Sequence, residues 1–165
     1  MDNQRLPFPS DFFDAYMSNL SLMLVQYPEK QIRECYRVLQ KGSKACYTVW
    51  GRPEECIQFT ILREALGNLG QTQPPLNSAF AVGADKEGTK QKFLDAGFNE
   101  VKMWYQASNW LYRDGKELIE NFMPTVAGQY AKNPEVMTEV CRLYDTKYRE
   151  SNNTFEVLII LAYKD

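Results

Sequence analysis

The chain has 165 residues, 44% of them hydrophobic and 24% charged, which is one domain's length with the make-up of a folded protein and excludes wholesale disorder. A net charge of -2, with no cluster of Lys and Arg, excludes the electrostatic footprint of a dedicated nucleic-acid binder. The lack of histidine excludes a Ser-His or Cys-His nucleophile, and Cys35, Cys46, Cys56 and Cys141 are too scattered for a zinc site.

Dispersed cysteines read as reduced thiols, so an intracellular, reducing compartment (cytosol or organelle matrix) is expected. The N-terminus is polar and unlike a signal peptide, and the longest apolar run, Val157 to Ala162, is far too short for a membrane span.

In chain order, Asp14 to Val25 is apolar with little alternation, which predicts a strand covered on both faces and then a first helical turn. Pro28-Glu29 opens a helix, with Ile32, Cys35, Tyr36 and Leu39 at helical spacing and Lys41-Gly42 as its positive last turn and C′ glycine. Ala45 to Trp50 is a second strand. A helix from Arg52-Pro53-Glu54-Glu55 keeps Cys56, Ile57, Phe59, Leu62, Ala65, Leu66 and Leu69 on one face until Gly67 and Gly70 end it.

Residues 70–78 are a turn-rich connector. Asp85 caps a short helix that buries Phe93 and Leu94 and closes at Gly97. Phe98 to Tyr105 is a third strand, 114–150 reads as two helices broken at Gly128 and Pro134, Asn152-Asn153 is a turn, and Phe155 to Tyr163 is a last strand. Strands alternating with helices predict an α/β fold with a largely parallel sheet.

Five features fall in a distinctive order: Asp2 four residues before Leu6-Pro7-Phe8, then Phe13-Asp14, Arg37-Val38-Leu39, Lys41-Gly42 and Ala96-Gly97-Phe98. Together they resemble the class I S-adenosylmethionine-dependent methyltransferases, nearest to the small-molecule branch of the ubiquinone and menaquinone pathways. The resemblance runs from Asp2 to Lys164, with Ser43 standing where the family has a second glycine.

It implies a partial Rossmann-like sheet. The family's strand order is 3-2-1-4-5-7-6 with strand seven antiparallel, and this chain would supply strands four (about 12–19), five (45–50), six (98–105) and seven (155–163). On that reading residues 1–165 are a single incomplete domain, lacking the half with the glycine-rich loop and the ribose-binding acid and carrying a helical insertion at about 114–150. No G-x-G occurs anywhere in the chain.

The resemblance also implies site residues. Asp2 is expected beside the adenine amino group with Asn3 close by, and Ser18, Asn19 and Leu20 at the methionine end and the acceptor. The alternatives are a terminal residue without a role for Asp2 and a strand-to-helix turn capped by Asn19 or Ser21 for the rest. Arg37 reads as structural. Tyr16, Tyr47, Trp50, Trp104, Tyr105 and Trp110 either line an aromatic pocket or belong to the core. No catalytic base is assigned, because aligning a sulfonium methyl with its acceptor needs none in many methyl transfers.

Two functions follow as expectations. One is an S-adenosylmethionine-dependent enzyme of small-molecule type, inactive without the missing half. The other is a non-catalytic structural or accessory subunit built on the same fold. In both, strand four loses its neighbour, so a protein partner or a second copy is expected over residues 12–19, with Phe12, Met17 and Leu22 partly exposed.

Overall fold

The computed structural model describes residues 2–109, 112–150 and 154–165. They form two compact units: Met1–Arg52, Ser78–Gln106 and Val157–Asp165 in one, Pro53–Asn77 and Ala107–Glu156 in the other. The expected turn at Asn152-Asn153 and the aromatic candidate Trp110 lie outside the described residues.

The first unit is built on strands β1 (Phe13–Asn19), β2 (Leu39–Trp50), β3 (Glu100–Asn109) and β4 (Thr154–Lys164), in the order β1-β2-β4-β3. β1 and β2 are parallel, whereas β2 and β4 are antiparallel, with Tyr47 opposite Ile160. This is the 4-5-7-6 order of a methyltransferase sheet with its last strand reversed. β2 is aromatic and β-branched toward its end and β4 is apolar through its middle, which suits both to a central position.

Period-two alternation then sorts the side chains. Ala45, Tyr47 and Val49 of β2 and Leu158, Ile160 and Ala162 of β4 are fully buried on one face. They pack with Ile32 and Cys35 of α1 (Pro28–Val38) and with Phe93 of α4 (Lys86–Asp95). The residues between them, among them Cys46, Thr48, Ile159 and Leu161, are only half-buried.

Several boundaries differ from the sequence reading. α1 stops at Val38, and Leu39 is already extended, so Lys41-Gly42 is not the end of a helix. Gly42 does have a positive φ of 78°, but inside β2, where the pairing jumps from Phe13–Leu39 to Ala15–Lys44. Three extra residues on β2 must bulge out there, and glycine takes the left-handed corner at no steric cost.

β1 is not covered on both faces: Asp14, Ala15 and Met17 are exposed, whereas Leu22, expected to lose cover, is fully buried in the turn Leu22–Leu24. Asp85 does cap α4, its Oδ1 accepting from the Gly88 N–H at 3.0 Å, but Leu94 stays 37% exposed while Phe93 is buried. The short α3 (Ala81–Ala84) precedes that cap. A Cβ on Gly83 would lie 1.7 Å from the Trp50 carbonyl oxygen, so only glycine lets α3 approach the end of β2 this closely.

The second unit is helical. A short turn at Pro53–Glu55 leads into α2 (Ile57–Asn68), so the helix begins later than Arg52-Pro53 suggests. The stretch at 114–150 contributes α5 (Gly115–Asn121), α6 (Met123–Val126), a 3-10 turn (Gly128–Lys132), α7 (Pro134–Leu143) and a π-helical turn (Tyr144–Tyr148). Asp114 caps α5 and Asn133 caps α7, whose first residue is Pro134. Ile61 and Leu66 of α2 share a core with Leu118, Met123, Val136, Val140 and Tyr144.

Candidate functional site

The site grows from the point where β1 leaves the sheet. Leu20 takes the left-handed conformation, φ 49°, which costs a side chain of its shape on the order of 1–3 kcal/mol. Thr48 holds it there: the Leu20 N–H donates to the Thr48 carbonyl at 2.9 Å and to Thr48 Oγ1 at 3.1 Å. The Thr48 hydroxyl in turn donates to Asn19 Oδ1. Neither Asn19 nor Ser21 caps the following turn, a correction to the sequence reading: Asn19 is tied sideways to β2, and Ser21 Oγ lies 2.7 Å from Ser18 Oγ.

Beneath Ser18 is a residue that the sequence reading passed over. Gln31, fully buried in α1, donates from Nε2 to Ser18 Oγ at 3.2 Å and to the Tyr16 hydroxyl at 3.4 Å, while its Oε1 has no hydrogen-bond partner among the described residues. Its signal was there to be read: it is a polar side chain one turn from Cys35 and beside Ile32, in the apolar stripe of the helix. Burial raises the Tyr16 phenol above its ordinary value. Tyr47, stacked on Tyr16 at 5.5 Å, is raised well above by the same cause, and burial pushes the neighbouring Cys35 thiol up to about 12. All three groups are therefore neutral at physiological pH, and none is a ready base or nucleophile.

A groove of about 340 Å³ runs along this strand, lined by Asn3, Leu6, Phe8, Phe13, Ala15, Tyr16, Met17, Ser18, Asn19 and Ser21. One end is aromatic, Phe8 meeting Phe13 edge-on at 4.9 Å, and the other is made of hydroxyls and amides. Residues 6–8 are held in place by α1. The Arg37 guanidinium donates to the carbonyls of Phe8 at 2.8 Å and Leu6 at 3.1 Å and is paired with Glu34, whose Oε2 accepts from the Leu6 N–H at 2.8 Å. This explains why Leu-Pro-Phe and Arg-Val-Leu occur in one chain: the second motif clamps the first. Arg37 is structural, as read, and works by hydrogen bonding.

Of the five residues singled out from sequence, Asn3, Ser18 and Asn19 meet in the groove. Leu20 acts through its backbone and is not in the lining. Asp2 is exposed and accepts from the Gln4 N–H at 2.9 Å. As a fit for a nucleoside cofactor, the groove offers one wall: a flat apolar end for a ring and a polar end for an amino-acid tail. The G-x-G spacing of a glycine-rich loop that could form a second wall does not occur in the sequence.

The methyltransferase-domain family profile matches residues 1–47. Over 45 residues the chain is 49% identical to the 2-methyl-6-phytyl-1,4-hydroquinone methyltransferase of Spinacia oleracea, a match covering 27% of this chain and 13% of that protein. Over 110 residues it is 28% identical to the ubiquinone/menaquinone biosynthesis C-methyltransferase UbiE of Chromobacterium violaceum, covering 61% of this chain and 45% of the relative. The chain thus spans less than half the length of these curated relatives.

Among solved structures, a Bacillus halodurans methyltransferase superposes with a TM-score of 0.55 at 16% identity, over 99% of this chain and 69% of that one. An S-adenosylmethionine-dependent methyltransferase of Thermotoga maritima gives 0.50 at 17%, over 99% and 61%. At these identities the likeness is one of fold. Among the described residues, no helix is long and apolar enough to cross a membrane.

Proposed function

Because the chain belongs to the class I S-adenosylmethionine-dependent methyltransferase family, we propose that its 165 residues form the acceptor-side part of a small-molecule methyltransferase. In this reading they bind S-adenosylmethionine weakly until residues outside them complete the cradle. One observation carries it: the groove that gathers Asn3, Ser18 and Asn19 lies along β1, which among the described residues has a strand on one side only.

Phe8 and Phe13 would together give the adenine one apolar surface, with Asn3 and a swung Asp2 at its amino group. Ser18, Asn19 and the Leu20 backbone would hold the methionine end. The cofactor supplies an electrophilic methyl on sulfur. This chain's residues position the acceptor and keep water from it, which is where most of the acceleration of a methyl transfer arises. Each missing hydrogen bond to a charged cofactor group is worth about 1.5–3 kcal/mol, so losing two or three weakens binding by several factors of ten. The acceptor class favoured is a small aromatic molecule, in keeping with the relatives' names.

A second reading, a non-catalytic accessory subunit, draws on the groove lining, which among the described residues contains no carboxylate or lysine. In either case a protein segment over β1 is the expected partner, in a reducing intracellular compartment. Titrating S-adenosylmethionine calorimetrically separates the possibilities. The chain alone is expected to show no binding at tens of micromolar, and binding is expected to appear when a polypeptide with the glycine-rich strand–loop–helix is added. Micromolar binding by the chain alone would refute the reading, and no binding even with the complement would favour the accessory subunit.

A further inference from the structure

We propose that, in the absence of a complementing segment, two copies of this chain pair through β1 in antiparallel register about a two-fold axis at Tyr16. The proposal is independent of any cofactor and begins with backbone directions. The Leu20 N–H points to β2, and backbone groups alternate along a strand, so Ser18 and Tyr16 also point to β2 while Ala15 and Met17 point their N–H and C=O groups outward. Four polar groups with no strand beside them among the described residues form a template for another strand.

The register follows from sequence. Centring the axis on Tyr16 pairs all seven residues of β1, the largest overlap available, and sets the outward-pointing Ala15 opposite Met17 of the other copy, where each pair exchanges two hydrogen bonds. Tyr16 meets its own copy as an aromatic cross-strand pair. Asp14, the one charged residue of the strand, falls opposite Ser18 instead of another carboxylate. Centring on Asp14 would put like charges face to face. A net charge of -2 per chain opposes the approach only weakly.

Side chains add an apolar contact. Met17 is 81% exposed and Ala15 is exposed, and both border a mainly apolar pocket of about 230 Å³ with Cys46, Leu161 and the exposed Lys44. The two-fold axis brings two such pockets side by side, Met17 of each copy lying over Ala15 of the other. A second copy is therefore the occupant that matches this edge in hydrogen bonding, in charge and in the apolar character of its neighbouring face.

Sedimentation equilibrium on the 165-residue chain tests this, with far-UV circular dichroism to confirm folding. A monomer–dimer equilibrium is expected. Met17→Lys, at a position with no core role, and Ala15→Pro, which removes an outward N–H and no bond to β2, should each weaken it at least about tenfold. The double variant Ala15→Lys with Met17→Glu reports the register: it restores the dimer if 15 faces 17 and abolishes it if 15 faces 15. A monomer at all accessible concentrations, a dimer indifferent to Met17→Lys and Ala15→Pro, or loss of the dimer in the double variant would overturn the proposal. None of these outcomes depends on whether the chain binds S-adenosylmethionine.

Discussion

The two faces of the first unit's sheet differ in what covers them. On one, Tyr47 touches Phe93 edge-on at 5.1 Å and Ile160 and Ala162 are fully buried beneath α1 and α4. On the other, Cys46 and Leu161, paired across the strands, are half-buried and Lys44 is exposed. A sheet whose middle strands are apolar on both sides but packed on one is a sheet built for a second layer. The second unit shows the contrast: its helices enclose their own core of Leu118, Met123, Val136 and Tyr144.

The largest expected effect tests this contrast at adjacent positions of one strand. Ile160→Ala should cost about 2–5 kcal/mol, the range for a fully buried aliphatic side chain. Leu161→Ala should cost about 1 kcal/mol or less in the isolated chain, because its side chain is still partly hydrated. Denaturant unfolding of the two variants measures the difference. Equal losses would show that the second face is already as well packed as the first.

Next comes the corner where β4 ends. Lys164, 6% exposed, donates to Asp11 Oδ1 at 2.8 Å and to the carbonyls of Tyr36 at 2.9 Å and Leu39 at 2.6 Å, with the Tyr36 ring 4.4 Å away. Asp11 itself has a positive φ of 55°. Lys164→Met keeps the stem and removes the donors, so it should cost about 1–3 kcal/mol by leaving buried carbonyls unpaired. An unchanged midpoint in chemical denaturation would show that water replaces the ammonium without loss.

A smaller effect is expected at the groove's rim and depends on pH. Hydrogen bonds from Arg37 hold the Glu34 carboxyl below its ordinary value of 4.5. Its folded-state value is the depressed one, so the stability that it lends is complete above about that value and is lost as pH falls through the lower one. Exchange protection of the Leu6 amide should therefore decline on acidification below pH 4.5. In Glu34→Gln it should be weaker and independent of pH across that range. Protection that stays flat in the unaltered chain would remove the clamp from the account.

The fold was largely legible in the sequence because strand composition, the proline at the start of α1 and the aspartate cap of α4 are local signals that tertiary packing reinforced. What was not legible depended on partners far along the chain. The early start of β2 is decided by pairing with β1, which overrides the Lys-Gly helix-end signal. Exposure of Leu94 beside buried Phe93 depends on which side of α4 meets the sheet. Of the candidate groove, motif order pointed to Asn3, Ser18 and Asn19, which the fold brings together, whereas the clamp by Arg37 across 29 residues to Phe8 and the burial of Gln31 under Ser18 are long-range facts that no window of sequence contains.

Gln31 yields the smallest predicted effect on stability. A fully buried amide with one end unpaired has lost its hydration at that end without recovering a bond, which costs about 1–3 kcal/mol relative to a satisfied group. Gln31→Leu removes that penalty together with two long hydrogen bonds, and Ser18 keeps Ser21 as a partner. The net change in unfolding free energy should therefore fall within about 1 kcal/mol of zero. If the amide served only the core, such a neutral replacement would leave groove binding intact. If it orients the Ser18 and Tyr16 hydroxyls for a ligand, the complemented protein should lose affinity for S-adenosylmethionine while its thermal midpoint stays put. Calorimetry and thermal unfolding on the same variant separate these outcomes. A large destabilisation with unchanged affinity would make Gln31 a core residue and shift the polar end of the groove to Asn3 and Asn19.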